Sequence, residues 1–322
     1  MVKPFLLYLP MKIFESISKA LLSGFFICMV CVACGPSKPK TITILHTNDT
    51  HSQVEPIEEG KRDANCAGYA RRMGFIERER QLDPDLILLD AGDFSQGTPY
   101  FNFYHGRIEM DALNRMGYDA GMLGNHEFDY GVDTLAVILG MAQFPIVCAN
   151  YDVCNTPLEG LVKPYTILRK KGLRIGVFGI GVNPNSLIAM KNFEPVKYLN
   201  PIESAQKVAT MLRHDEHCDV VVCISHQGTN HIAEGQVCDV ELAAATRDID
   251  VIIGAHTHKV VENLHVANLD GDSVLLAQTG KSGARIGKIT LEIGQQTHNC
   301  CKKFAYSKKK SLLCSRFASS DA

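Results

Sequence analysis

The chain has 322 residues, a formal net charge of −2, 46% hydrophobic residues and 21% charged residues. This is the profile of an ordinary globular protein with one large domain or two smaller ones. The near-neutral charge and the absence of tryptophan give no basis for binding a nucleic-acid polymer, which requires basic surfaces and aromatic stacking platforms.

The first forty residues are predicted to direct export rather than to join the fold. MKIFESISKA supplies positive charge, LLSGFFICMV is apolar, and CVACG offers small residues for cleavage. The apolar stretch is shorter than the roughly 20 residues of a membrane-spanning helix. We therefore expect residues 1–34 to be a signal peptide, with translation starting at Met1 or Met11.

A lipid-anchoring motif overlaps the expected cleavage point. Cys34 lies between Ala33 and Gly35, as in a bacterial lipobox, although Cys31 stands where that motif usually has leucine. We expect an exported lipoprotein that is anchored to a membrane through Cys34 and faces the periplasm or the cell surface. An ordinary signal peptide with incidental cysteines is the alternative. GPSKPK, residues 35–40, is predicted to be a flexible tether.

After the tether, apolar segments rich in valine and isoleucine alternate with amphipathic segments. The predicted strands are TITILH, DLILLD, DAGMLG, PIVCAN, RIGVFGI, DVVVCIS, DVIIG, VLLAQTG and IGKITLEI. One predicted helix has apolar residues at Tyr69, Met73 and Ile76 and is stopped by Asp83 and Pro84. A second ends at Gly117 and a third opens at Pro201. This alternation predicts a layered α/β domain over residues 41–295.

The last segment has a different composition. Residues 296–322 are basic, carry cysteines and show no periodicity, so we predict a disordered tail. Metal binding by its histidine and cysteines (His298, Cys300 and Cys301) is a minor alternative. Elsewhere, Cys148 and Cys154 are close enough in sequence to form a disulfide, although most of the cysteines are assigned to packing.

Five strand-like segments end in residues that can bind a metal ion. They contribute Asp49 and His51, then Asp93, then Asn125 and His126, then His226, and finally His256 and His258. Because functional groups gather beyond the carboxyl ends of parallel strands, we predict that a parallel sheet brings these residues together at one edge. Oxygen and imidazole donors without thiolate suit borderline divalent ions such as zinc or manganese. The set is too large for one tetrahedral site, so we expect two ions.

The local sequence suggests different roles for these residues. The D-x-H motif of the first segment must turn after its strand if both ligands are to point inward. Asp93, in a tight AGD turn, is the candidate for a carboxylate that bridges two cations. Asn125 offers a neutral oxygen. The next residue, His126, is expected to face the substrate, with Asp129 as its hydrogen-bond partner.

HTNDTH, GD, LNRMGYDAGMLGNHEFDYG, SHQG and GAHTH occur in an order that resembles the calcineurin-like metallophosphoesterase superfamily. The resemblance covers residues 41–293, and HTNDTH and GNHEFDYG are similar to the catalytic domain of 5′-nucleotidases. It implies a four-layer α/β/β/α sandwich with a dinuclear metal site. It assigns one ion to Asp49, His51, Asp93 and His258, and the other to Asp93, Asn125, His226 and His256. It assigns His126 and Asp129 to a catalytic dyad that stabilises the transition state.

The activity implied by the resemblance is hydrolysis of phosphate monoesters, nucleoside 5′-monophosphates above all, with two divalent ions as cofactors. A cyclic-nucleotide phosphodiesterase or sulfur-ester hydrolase of the same superfamily is one alternative. A non-enzymatic, metal-binding surface lipoprotein is another, but His126 and Asp129 argue against it because neither is needed to bind metal. Secreted 5′-nucleotidases carry a second domain that binds the base, so a separately encoded nucleotide-binding domain is the partner expected to supply base recognition.

Residues outside these motifs are given ordinary roles. Arg71 and Arg72 are predicted to lie on a solvated helix face rather than to reach phosphate. The six histidines that fit no motif are predicted to have surface or packing roles: His46, His105, His214, His217, His231 and His265.

Overall fold

The computed structural model describes the chain in three stretches, residues 39–231, 235–294 and 302–306. Thr41–Glu292 belong to one compact unit, which contains the seven predicted ligands of the metal site. No helix in the described stretches is both long and apolar enough to cross a bilayer.

Some of the predictions concern residues that the structure does not describe. The predicted signal peptide and the lipid anchor at Cys34 lie outside the described residues, as does most of the tether. Of the predicted tail, only a strand at Lys302–Tyr306 is described. The disorder of the tail, and metal binding by His298 and its neighbouring cysteines, therefore remain predictions.

The first of two large sheets has seven strands. In spatial order they are β15 (Lys302–Tyr306), β14 (Gly287–Ile293), β1 (Lys40–Thr47), β2 (Ile87–Asp90), β3 (Ala120–Gly121), β4 (Ile146–Val147) and β6 (Val162–Lys163). Strands β1, β2, β3, β4 and β6 pair in parallel. Their carboxyl ends therefore meet at one edge of this sheet.

The second sheet has six strands. In spatial order they are β12 (Val260–Ala267), β13 (Ser273–Thr279), β11 (Val251–Ile253), β10 (Val220–Ser225), β8 (Leu173–Ile180) and β7 (Tyr165–Lys170). The four inner strands are parallel, and the two edge strands are antiparallel to their neighbours. β5 (Tyr151–Asp152) and β9 (Lys197–Tyr198) form a small separate ladder. The prediction of a single sheet edge is therefore wrong: the ligand-bearing strands are divided between two sheets.

Seven helices accompany the sheets. They are α1 (Tyr69–Leu82), α2 (Pro99–Tyr104), α3 (Arg107–Met116), α4 (Gly131–Leu139), α5 (Met190–Phe193), α6 (Pro201–Thr210) and α7 (Asp239–Ala244), counted within the described stretches. The predicted helix ends at Asp83 and Gly117 and the predicted helix start at Pro201 are confirmed. Gly117 ends α3 in a left-handed conformation, with φ of 68°. The α/β architecture with two central sheets and flanking helices is confirmed.

Each sheet contributes to its own hydrophobic core. The first core includes Leu45 and Leu88 from the sheet and Met110 and Leu135 from helices. The second includes residues of β8, β10, α6 and α7. Every residue of β10 is buried, as expected for a continuous apolar run in the middle of a parallel sheet. Each fully buried large aliphatic side chain contributes roughly 1.5–3 kcal/mol.

One prediction about an individual side chain is wrong, another is confirmed, and the disulfide that the sequence left open between Cys148 and Cys154 is not formed. Arg72 is fully buried rather than solvated, and its guanidinium lies 5.1 Å from the centre of the Tyr69 ring. Cys148 and Cys154 are both free. His46 has the predicted packing role: it is completely buried, and a side chain at Gly287 would collide with its ring.

Candidate metal centre

The loops after β1 and β2 are joined by backbone hydrogen bonds. The N–H of Asp49 donates to the carbonyl of Gly92 at 2.9 Å, and the N–H of His51 donates to the carbonyl of Asp93 at 3.0 Å. Because both loops leave adjacent parallel strands, this pairing holds the D-x-H motif against the AGD turn. The loops after β10 and β11 approach the same place from the second sheet.

Left-handed turns aim most of the predicted ligands into the site. Five of the seven have positive φ: Asp49 (48°), His51 (46°), Asp93 (54°), His256 (68°) and His258 (54°). Residues other than glycine rarely adopt this backbone conformation. Holding such a residue in it costs on the order of 1–3 kcal/mol. The predicted turn of the D-x-H motif is therefore present, and left-handed backbone recurs at most of the positions whose side chains converge.

Gly124 is required by close packing. A Cβ at this position would collide with the carboxylate of Asp93 and with the ring of His226. A Cβ on Gly92, whose φ is 86°, would lie 2.5 Å from the backbone nitrogen of Gly124. The two glycines thus let the Asp93 turn and the loop that carries Asn125 approach each other.

Six of the predicted ligands form two clusters. The ligand atoms of Asp49, His51 and His258 lie within 4.8 Å of one another, and so do those of Asp93, His226 and His256. In the first cluster, Nε2 of His51 and Nε2 of His258 are 2.9 Å apart. In the second, Nε2 of His226 lies 3.1 Å from Oδ2 of Asp93. The clusters adjoin, because the same nitrogen is 3.8 Å from Oδ1 of Asp49.

Three buried side-chain atoms in this region could bind a metal ion and have no hydrogen-bond partner. They are Nδ1 of His51, Oδ1 of Asn125 and Nε2 of His226. Buried polar atoms normally have a partner, so these atoms fit cation ligands. Nδ1–H of His226 donates to the carbonyl of Ala91 at 2.8 Å, which leaves Nε2 as the lone-pair nitrogen. The donor set and the orphaned atoms therefore fit borderline divalent ions.

Electrostatic coupling within the clusters is strong. Burial raises the pKa of Asp49 to about 7. Burial also acts to raise the pKa of Asp93, but the adjacent His226 ring, when it is protonated, outweighs burial and holds this pKa below its ordinary value. Burial lowers the pKa of His256 to about 3 and that of His258 to about 4. These two rings are thus neutral at physiological pH, as metal ligands must be.

His126 and Asp129 form a separate pair at the rim. A 3₁₀ turn at His126–Phe128 places them three residues apart on one face, with Nδ1 of His126 3.0 Å from Oδ2 of Asp129. The backbone N–H of His126 donates to Oδ1 of Asp93 at 2.9 Å, whereas its ring lies outside both clusters, 5.5 Å from the ring of His51. Partial burial acts to lower the pKa of His126, but the carboxylates of Asp129 and Asp93 outweigh it and raise this pKa.

Glu127 was not singled out in the sequence. Its buried carboxylate accepts the backbone N–H groups of Gly124 at 2.6 Å, Asp93 at 2.9 Å and Ser95 at 3.0 Å. It therefore fixes the AGD turn relative to the loop that carries Asn125. Its position directly after the histidine of GNHE was the available signal, but a glutamate beside a catalytic histidine is usually assigned to the surface.

Asn48 connects the two sheets at the site. Its side-chain amide donates to Oδ2 of Asp49 at 2.6 Å and to the carbonyl of Gly280 at 2.8 Å. Its side-chain oxygen accepts the backbone N–H of Thr279 at 2.9 Å. One residue of the first sheet thus holds a predicted ligand and the carboxyl end of β13 together.

Six of the nine residues predicted for the site lie in the two clusters, and His126 and Asp129 lie at the rim. Asn125 stands in the chain between Gly124, where a Cβ would meet Asp93, and His126, whose N–H donates to Asp93. Exposed Lys281 adds a positive charge beside them, which contributes to lowering the pKa values of His51 and His258. Buried carboxylates beneath a rim of imidazoles and a lysine make an arrangement that can bind cations inside and an anion outside. Lys281 belongs to no motif, so the sequence offered no signal for it.

A profile of the calcineurin-like phosphoesterase family matches residues 42–260. The trifunctional nucleotide phosphoesterase protein YfkN of Bacillus subtilis is 30% identical over 297 aligned residues, covering 81% of this chain and 19% of YfkN. A 5′-nucleotidase of Diplobatis ommata is 33% identical over 251 residues, covering 75% of this chain and 41% of that protein.

Among solved structures, the 5′-nucleotidase precursor of Thermus thermophilus superposes with a TM-score of 0.71 at 30% identity, covering 83% of this chain and 54% of that one. The chain thus spans about half or less of the length of these relatives. The profile match includes strands of both sheets and every predicted ligand and catalytic residue. On these grounds the chain belongs to the calcineurin-like phosphoesterase family.

Proposed function

We propose that this chain hydrolyses phosphate monoesters, with nucleoside 5′-monophosphates as the preferred class, and that it uses two divalent cations such as zinc or manganese. The observation that carries the proposal is the pairing of two adjoining ligand clusters with a separate imidazole–carboxylate dyad. A site that only stored metal would need the clusters but not the His126–Asp129 pair. The family match supports phosphoester chemistry.

The proposed ligands divide into two sets that share Asp93. One ion is assigned to Asp49, His51, Asp93 and His258, and the other to Asp93, Asn125, His226 and His256. Asp93 suits the shared position because its depressed pKa keeps it ionised, and Glu127 fixes its backbone. When bound, divalent ions in such a site lower the pKa of water and neutralise phosphate charge.

The proposed role of His126 is to stabilise the leaving oxygen. Asp129 lies at Nδ1 and orients the ring, so that Nε2 is left to donate a hydrogen bond to the substrate. The carboxylates of Asp129 and Asp93 raise the pKa of His126, which favours the protonated ring. A positioned imidazolium of this kind can act as a general acid or as an electrostatic stabiliser of the departing alkoxide.

Two observations support a nucleotide as substrate. The relatives from Diplobatis ommata and Thermus thermophilus are named as 5′-nucleotidases, and YfkN is named as a nucleotide phosphoesterase. At the rim, Lys281 is positively charged and the pKa of His126 is raised towards its charged form, which suits a phosphate dianion. The sequence motif at Cys34 supports a further part of the proposal, that the enzyme acts outside the cytoplasm as a membrane-anchored lipoprotein.

The proposal is tested by substrate profiling of the full chain loaded with zinc or manganese. Adenosine, guanosine, uridine and cytidine 5′-monophosphates are compared with an aryl phosphate, a cyclic nucleotide and a sulfate thioester, and His126→Ala serves as the matched inactive control. We expect phosphate release from the monoesters, loss of most of it in His126→Ala, and little turnover of the other two classes. Preferential turnover of the cyclic nucleotide or the sulfur ester would overturn the assignment.

A further inference from the structure

A third group of metal-binding side chains lies outside the candidate centre. It consists of His231, Cys238 and Glu241, which we name the loop cluster. Their ligand atoms lie within 4.8 Å of one another, and Nε2 of His231 is 3.7 Å from Oε2 of Glu241. In a tetrahedral zinc site, ligand atoms are separated by about 3.3–3.6 Å, as follows from metal–ligand distances of about 2.0–2.3 Å. Small side-chain rotations would bring the three atoms to that spacing.

His231 is already oriented for binding. Its Nδ1–H donates to the carbonyl of Gln236 at 2.7 Å, which leaves the lone pair on Nε2, the nitrogen that faces Glu241. A hydrogen bond from one ring nitrogen to a backbone carbonyl is the usual way that proteins fix the tautomer and direction of a ligating imidazole. The hydrogen bond to Gln236 thus fixes the ring independently of its contact with Glu241.

Cys238 provides the donor that distinguishes this group from a surface ion pair. Its thiol is free and nearly fully buried, with 3% of the residue exposed. Cys238 is the N-cap residue of α7 and Glu241 lies in the first turn of that helix, and their ligand atoms lie close together. Thiolate, imidazole and carboxylate together favour zinc or a similar ion over magnesium or calcium.

We propose that His231, Cys238 and Glu241 bind one zinc-like divalent cation at a site distinct from the candidate catalytic centre. The ion takes three protein ligands and keeps one position for water, and the Cys238 thiol releases its proton to solvent on binding. The site lies on the loop that follows β10, which the structure describes on both sides of residues 232–234.

The position of the site suggests a structural role. The backbone N–H of Asp239 donates to the carbonyl of Gly228 at 2.8 Å, and Oγ of Ser225 donates to Oδ1 of Asp239 at 2.6 Å. Ser225 directly precedes His226, a predicted ligand of the catalytic centre. An ion on the loop cluster therefore links His231 to the first turn of α7, beside residues that support the centre.

Cobalt substitution tests the proposal, because the catalytic centre contains no thiolate. The full chain is stripped of metal, loaded with cobalt(II) and observed in the near ultraviolet, where a thiolate–cobalt bond gives a charge-transfer band. We expect the band in the wild-type chain, its loss in Cys238→Ser, and its retention in Cys154→Ser, which removes an exposed free cysteine instead. Elemental analysis of the zinc-loaded chains should show one ion fewer in Cys238→Ser than in Cys154→Ser.

Two further variants keep the test decisive if Cys238→Ser fails to fold. His231 and Glu241 have side chains that are 60% and 44% exposed, so His231→Ala and Glu241→Gln are expected to fold normally. Each variant should weaken cobalt binding by at least roughly tenfold, as measured by titration at the charge-transfer band. Loss of a group that only supports a ligand already weakens metal binding by about this factor. Absence of the band in the wild-type chain, or unchanged affinity in both variants, would overturn the proposal.

Discussion

The carboxylate of Glu127 accepts the backbone N–H of Asp93 at 2.9 Å. The same oxygen accepts the N–H of Gly124 at 2.6 Å, so one buried carboxylate fixes two loops from neighbouring strands. Burial, with the charge of Asp93, raises the pKa of Glu127 to about 7. The position of the proposed bridging ligand thus depends on a residue that is not itself a ligand.

We expect Glu127→Gln to weaken metal binding without removing a ligand. The glutamine amide places an NH2 group where a carboxylate oxygen of Glu127 accepts backbone N–H groups. The Asp93 turn therefore loses a hydrogen-bond acceptor. Divalent-ion affinity should fall by roughly 10- to 100-fold, the usual effect of removing an outer-shell partner. Titration calorimetry measures this, with Glu58→Gln as a control at an exposed glutamate. Equal affinities in the two variants would refute the role given to Glu127.

His126→Ala separates catalysis from metal binding. The ring lies outside both clusters, so the variant should retain its metal while kcat falls by about 10²–10⁴-fold, the range typical of acid–base or oxyanion contributions. Asp129→Asn should lose less, because the ring remains but is less well oriented. Elemental analysis and steady-state kinetics are compared with His265→Ala, which removes an exposed histidine. Loss of a bound ion in His126→Ala would show that this residue is a ligand.

Lys281→Gln is expected to weaken substrate binding while leaving the chemistry largely intact. Exposed charges contribute about 0.2–1 kcal/mol, so KM for a phosphate monoester should rise by up to about fivefold at low salt, with kcat little changed. The effect should shrink as salt is added, because exposed charges are screened. Lys259→Gln is the control, since it removes an exposed lysine that follows His258 in the chain. Equal KM values for the two variants at low salt would contradict the role of Lys281.

His46 should make the fold sensitive to acid. Burial lowers its pKa from 6.5 to about 3, and neither ring nitrogen has a hydrogen-bond partner. The folded chain therefore holds this ring neutral, while the unfolded chain takes up a proton below pH 6.5. Stability is lost as pH falls from 6.5 towards 3, by about 2–3 kcal/mol at pH 4.5 from this group alone.

The matched pair for this prediction is His46→Leu against His265→Leu, the latter an exposed histidine. The free energy of unfolding is measured in urea at pH 7 and pH 4.5, with chelator present throughout so that metal release does not contribute. His46→Leu should lose about 2–3 kcal/mol less than His265→Leu over this interval. The same pH dependence in both variants would show that His46 is not held neutral in the fold.

The order of the ligand segments could be read from the sequence, but their distribution over two sheets could not. Each segment is a strand followed by a polar turn, and that pattern is the same whichever sheet receives the strand. The short strands β3 and β4 have two residues each, and edge strand β12 is mostly exposed, so their hydrophobic patterns are weak. Pairing is decided by long-range packing, which periodicity does not record.

The supporting residues were harder to predict than the ligands. Arg72 and Glu127 are charged residues with local patterns typical of the surface, yet both are buried. Arg72 is accommodated because Gly283 has no side chain there, and Glu127 because three backbone amides converge on it. Most of these compensating contacts come from segments distant in sequence: Gly283 for Arg72, and Asp93 with Ser95 for Glu127. Ligands were easier to identify because their residue types and order carry the chemistry directly.

The claim that two cations share Asp93 is tested most directly by anomalous diffraction. Crystals of the full chain are grown with manganese(II), a hard ion that disfavours the thiolate of the loop cluster, and data are collected at the manganese absorption edge. We predict two peaks about 3.5–4 Å apart on either side of the Asp93 carboxylate, one beside Asp49 and the other beside His226. A single peak at full occupancy, or two peaks that do not flank Asp93, would contradict the proposed centre.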